Sequence, residues 1–193
     1  YSLVTTPDAW QNLFINDIQE GGPGKIMTGP ELMLSIRYDI NEIGTANRAG
    51  IFALFFAGLP SFYISPVLEN KWIEKFPIDS LGWATKYPDT APVLTQDEDA
   101  DGVPEIVYGD WRYYTCREEG VSGLGSRLLG EARLAKYNKT NYSQNFDDSD
   151  IVLYRYAGML LLLAEAENQL GNADRALELV NQIRTARQLP LVA

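Results

Sequence analysis

With 193 residues, 46% of them apolar, the chain is long and apolar enough to bury a core in one or two domains, which excludes a disordered chain. A net charge of −10 without a large basic patch argues against nucleic acid and anionic membrane surfaces as partners. Histidine is absent, which removes most catalytic triads, proton shuttles and zinc sites, and a lone Cys116 rules out an intrachain disulfide and reads as a small buried hydrophobe.

Taken in order, Thr6-Pro7-Asp8 is a helix start: a capping hydroxyl, a proline at the first helical position, then an acid for the dipole. The helix carries Trp10, Leu13 and Phe14 on one face and ends before Gly21-Gly22-Pro23-Gly24. Glu31–Tyr38 alternates, and predicts a strand that buries Leu32, Leu34, Ile36 and Tyr38. Gly50–Gly58 is a short apolar run, either a buried strand or a helical turn. From Leu59 to about Arg112 periodicity is weak and Pro60, Pro66, Pro77, Pro88, Pro92 and Pro104 interrupt it; such a long irregular stretch usually carries function. Arg112–Cys116 is compatible with a short strand, Ser126–Tyr137 is ambiguous between helix and strand, and Asn138–Asp150 reads as a polar connector.

Ile151–Pro190 holds the clearest pattern. Val152–Leu170 is apolar on most faces, with a thin polar stripe through Arg155, Glu165 and Gln169, so it predicts a helix covered on more than one side. Its apolar run is shorter than the about 20 residues that a bilayer requires. Asp147, Asp148, Ser149 and Asp150 offer it an N-cap. Gly171 suits the left-handed position that ends it, and Asn172 can cap the second helix. Ala173–Arg187 is one-sided: Ala176, Leu177, Val180 and Ile183 form its apolar face, with Asp174, Arg175, Glu178, Asn181, Gln182 and Thr185 toward water. Pro190 stops it. The short turn makes the two helices antiparallel, a hairpin of about 34 residues, the length of one tetratricopeptide unit. Ala157, Gly158, Ala164 and Ala166 allow close approach. Glu167 and Arg175 flank the turn and can pair, whereas Arg155 and Glu165 lie too far apart. One such unit cannot bury its own faces.

Three features bear on chemistry. Tyr63, Trp72, Trp83, Tyr87, Tyr108, Trp111, Tyr113 and Tyr114 put eight of the fifteen Trp and Tyr residues between Leu59 and Thr115. Flat rings suit the apolar face of a sugar, and Glu69, Asn70, Glu74, Lys86, Asp89 and Asp110 could take its hydroxyl hydrogen bonds. Trp72, Trp83, Tyr87, Trp111 and Tyr113 are the ligand-binding candidates; packing into a core poor in regular elements is the other reading. Asp97, Asp99 and Asp101, before Gly102, have the alternating carboxylates of a calcium loop, although Tyr108 stands where an EF-hand has glutamate and only Glu105 offers a substitute. The alternative is a solvated acidic loop that binds nothing, and no other cofactor is indicated. Asp110 and Arg112 suit a local ion pair. No nucleophile elbow, P-loop or dinucleotide fingerprint is present, which leaves a carboxylate pair of the glycosidase type as the one catalytic option, and no motif nominates it.

The run LYRYAGMLLLLAEAENQLGN, followed by ALELVNQIRTARQLP, resembles the C-terminal helical hairpin of the SusD/RagB family. The specific part is the order R-Y-x-x-M-L-L-x-x-A-E-A, then L-G, A-L and N-x-I-R. The segment around Trp10 and Glu31–Tyr38 resembles that family's lead into its less regular region, and Gly109-Asp110-Trp111-Arg112 is similar to a short family segment. The resemblance implies a mainly α, SusD-like fold: a TPR-like helical hairpin, a long irregular loop-rich region and a few short strands. Within one partial domain, residues 1–58 supply helix and strand, 59–150 the aromatic loops and 151–190 the hairpin. It also implies a surface lipoprotein of the Bacteroidetes outer membrane that binds oligosaccharide without turning it over, for uptake through a SusC-like TonB-dependent transporter. Peptide capture is the variant within the family, and a pure interaction scaffold or a carboxylate glycosidase are the rivals. Membrane attachment would run only through an N-terminal lipid anchor outside this chain, along with earlier helical repeats and a last C-terminal segment.

Overall fold

The computed structural model describes residues 1–14, 29–37, 64–91, 94–96, 105–118, 133–134, 136 and 150–193. Their elements, in chain order, are α1 (Pro7–Gln11), β1 (Leu32–Ile36), α2 (Pro66–Lys75), α3 (Ser80–Lys86), β2 (Leu94–Gln96), β3 (Glu105–Val107), α4 (Trp111–Cys116), β4 (Arg117–Glu118), β5 (Arg133–Leu134), β6 (Ile151–Arg155), α5 (Tyr156–Gln169) and α6 (Ala173–Ala186). Helix outweighs strand, as the sequence predicts. Three two-stranded antiparallel ribbons pair β1 with β6, β2 with β3 and β4 with β5.

The first helix starts as its sequence dictates. The Thr6 hydroxyl accepts the Ala9 amide hydrogen at 3.2 Å, and Pro7, which has no N–H to leave unsatisfied, opens α1. A 3-10 turn, Asn12–Phe14, completes it. Trp10, Leu13 and Phe14 are buried with Val4 and Trp111 in one core cluster. Trp10 stands edge-on to Phe14 at 5.0 Å and to Trp111 at 6.0 Å, the ring geometry that the aromatic quadrupole favours.

The ribbon β1–β6 changes two expectations. Ile151–Arg155 is a strand, so the helix begins at Tyr156 and not at Val152. Ile151, Val152 and Tyr154 are strand formers, and β1 supplies a pairing edge that no local pattern reveals. The ladder runs on until the Tyr156 amide donates to the Glu31 carbonyl at 2.8 Å. Arg155, with extended backbone, takes the N-cap position and makes no side-chain cap. Of the acid run only Asp150 is among the described residues, and it accepts a hydrogen bond from the Ser35 hydroxyl at 3.4 Å, away from the start of α5. Of the expected buried face of β1, Leu32 packs half-buried against the core cluster and Tyr38 lies outside the described residues. The register of β1 shifts between Leu32 and Leu34 and again between Leu34 and Ser35, which breaks the strict alternation, and Leu34 and Ile36 are exposed.

The hairpin forms where the pattern puts it. Gly171 takes φ +84°, the Gly171 amide donates to Asn168 O at 3.1 Å and the Asn172 amide to Glu167 O at 2.9 Å, the paired closure that ends a helix on a left-handed residue. Leu160 and Ala164 of α5 pack on Ala176, Leu179 and Ile183 of α6. The buried line on α6 thus runs through Ala176, Leu179, Ile183 and Ala186, leaving the expected Leu177 and Val180 at its half-buried margin. Of the small residues, Ala157 and Ala164 are buried, while Gly158 and Ala166 face outward. Asn172 occupies the N-cap position but spends its side chain on Glu167, at 2.7 Å, and Arg175 pairs with Glu178 at 2.8 Å. The expected Glu167–Arg175 pair is thereby replaced by two shorter-range ones. Met159, Leu161, Leu162 and Leu163 of α5 are 38–53% exposed, so α6 covers one side and the described residues leave the outer side open.

A buried carboxylate joins these parts. Glu31 has no exposed surface. Its oxygens accept hydrogen bonds from the Val4 amide at 3.0 Å, from Arg155 Nη1 at 3.1 Å and from Arg187 Nη2 at 2.8 and 2.9 Å. Arg187, 1% exposed, also donates through Nη1 to the Val4 carbonyl. A buried charge is costly unless paired and hydrogen-bonded, and here one acid collects donors from the N-terminal segment, the end of β6 and the end of α6. Arg155 further lies over the Trp10 and Phe14 rings, at 5.9 and 5.6 Å.

Candidate functional site

The aromatic stretch is more regular than its prolines suggest. Pro66 opens α2, with Ser65 before it and Lys75 in the last turn. Asp79 caps α3: its Oδ1 accepts the Gly82 amide hydrogen at 2.8 Å, and a Cβ on Gly82 would sit 2.8 Å from the same carboxylate. Residues 111–116 form a short helix and not the strand that Arg112–Cys116 allowed. The reason is Asp110, which receives the Arg112 amide on Oδ1 at 3.0 Å while its carbonyl accepts from the Tyr113 amide at 2.8 Å. Asp110 and Arg112 do form the local ion pair, 2.6 Å from Nη2 to Oδ2.

The rings of this stretch are placed by their own hydrogen bonds. Trp72 Nε1 donates to Asp110 Oδ2 at 3.2 Å, and Trp83 Nε1 to the Thr90 carbonyl at 2.8 Å. Tyr87 OH donates to Lys75 O and Tyr114 OH to Tyr108 O, each at 2.8 Å. Trp83 is buried with Phe76 and Leu189, which ties α3 to the segment after α6. Trp72 meets Tyr113 edge-on at 5.7 Å.

Five rings stood as ligand-binding candidates. Trp83, Trp111 and Tyr113 are buried, at 3%, 2% and 6% exposed. Trp72 and Tyr87 are half-buried. Among the polar companions, Glu69 and Asp110 are buried, while Asn70, Glu74, Lys86 and Asp89 are exposed. Trp111 Nε1 is buried and finds no hydrogen-bond partner among the described residues. Asp97, Asp99 and Asp101, as well as Tyr63 and the Gly50–Gly58 run, lie outside the described residues, and so does the Cys116 side chain. Among the described residues no cluster of three His, Cys, Asp or Glu side chains could hold a metal ion, and no helix is long and apolar enough to cross a membrane.

A concavity that sequence reasoning missed lies elsewhere. An open cleft of ≈ 770 Å³ runs between the N-terminal residue, β1 and the hairpin. Met33, Met159, Leu163 and Leu179 line its floor, and Tyr1 stacks beside Tyr156 with ring centroids 6.3 Å apart and 27° between planes. The Arg175–Glu178 pair and Gln182 supply its polar groups. Its size and mainly apolar lining, with few polar groups, suit binding. Among the described residues, Glu178 is the one carboxylate on its lining, and it pairs with Arg175 at 2.8 Å. Tyr1, Met33 and Tyr156 are far apart in the chain, and no local motif announces their meeting.

Comparison with known proteins completes the picture. The model of the SusD family matches residues 110–192. A SusD-like protein of Formosa agariphila is 49% identical over all 193 residues, which make up 37% of that protein. The crystal structure of a SusD-like protein from Bacteroides fragilis matches the whole chain with a TM-score of 0.53 and 18% identity, and the chain covers 41% of it. At that identity the likeness speaks for the fold. The chain spans well under half the length of either relative.

Proposed function

With a chain that belongs to the SusD family, as a partial member, for a premise, we propose that it serves non-catalytic capture of oligosaccharide at the cell surface. The captured glycan passes to a TonB-dependent transporter of the outer membrane, where a lipid anchor outside this chain holds the protein. The observation that carries this reading is the 49% identity to a SusD-like protein along the entire chain; glycan binding for nutrient uptake is the role of that family. Of the five aromatic candidates, Trp72 and Tyr87 are half-buried where the other three are buried, and they are the ones we retain for ligand contact.

The test is a panel of plant, host and microbial glycans, read by thermal shift and by calorimetry, with reducing ends assayed over time. Saturable binding that Trp72→Ala or Tyr87→Ala weakens, with no new reducing ends, supports the proposal. Reducing ends that accumulate would turn it into a glycosidase. Binding of peptides in place of glycans would select the peptide-capture variant, which the apolar floor of the cleft favours. The acidic run Asp97, Asp99 and Asp101 is proposed as a calcium loop on its residue pattern alone; calcium should then raise the melting temperature, and an Asp99→Asn change should abolish that rise. An unchanged melting temperature with calcium leaves a solvated loop.

A further inference from the structure

We draw no further inference here: the strongest candidate, the outward apolar stripe of α5 through Met159, Leu162 and Leu163 beside the cleft, is an unpartnered helix face, and nothing in the structure shows what covers it.

Discussion

The hairpin α5–α6 and the aromatic stretch from α2 to α4 solve the same problem differently. In the hairpin, side chains at helical spacing meet across one interface, and the backbone satisfies itself within each helix. In the aromatic stretch the helices are short, 10, 7 and 6 residues, and cannot rely on their own cooperativity. There the rings do two jobs: their faces fill the core and their polar atoms tie down carbonyls at Lys75, Thr90 and Tyr108 or the Asp110 carboxylate. A cluster of Trp and Tyr can therefore mark a fold stapled by its rings, and accessible ring surface is what separates that from a binding platform.

This contrast can be broken at its joints. The largest effect is expected at Arg187→Met. It leaves Glu31 buried with the Val4 amide and Arg155 as its remaining donors, and losing one partner of a buried ion pair costs about 3–5 kcal/mol. Urea unfolding should show it; a loss below about 1 kcal/mol would mean that the carboxylate does not hold the parts together. Trp83→Ala comes next, about 3–5 kcal/mol for an emptied aromatic site, with any glycan affinity falling only as the folded fraction falls. If binding disappears while the melting temperature stays put, Trp83 is a ligand platform after all. Tyr114→Phe separates the staple from the packing, since it keeps the ring and removes the hydroxyl that donates to Tyr108; about 1 kcal/mol is expected from thermal or chemical denaturation. An unchanged stability would reduce the Tyr114 ring to a filler. The smallest effect belongs to Leu162→Gln on the open side of α5, within about 0.5 kcal/mol for the 193-residue chain, because its side chain is half exposed. A larger loss would show that this face is covered.

The regions also differ in how much of them can be read in advance. The first helix, the turn at Gly171 and the antiparallel hairpin follow from a capping threonine, a left-handed glycine and helical spacing, all local signals. The boundary at Arg155 does not, because Val152 to Leu170 is continuously compatible with helix and the deciding partner, β1, lies more than a hundred residues away. Glu31 is illegible for the same reason: one acid among 26, its burial follows from donors contributed by Val4, Arg155 and Arg187. Signals for α2 and α3 were present, in Ser65-Pro66 and in Asp79 three residues before Gly82, but the prolines around them spoke louder. For the site, ring composition located a distinctive stretch without telling which faces would be free; only Trp72 and Tyr87 of the five keep accessible surface. The cleft, built from Tyr1, Met33 and the hairpin, left no trace in any window.

Arg187 reaches Val4 across 183 positions of chain, and Gln188 Nε2 reaches the Thr5 carbonyl. Closing so long a loop carries an entropic cost that grows with the logarithm of its length, whereas α5 and α6 meet through a loop of a few residues. The coiled pair is thus expected to form before the first residues of the chain return to seal the acid inside. Fluorescence of Trp10 should accordingly settle after the far-ultraviolet helical signal during refolding, and simultaneous phases would show that the two ends find each other from the start.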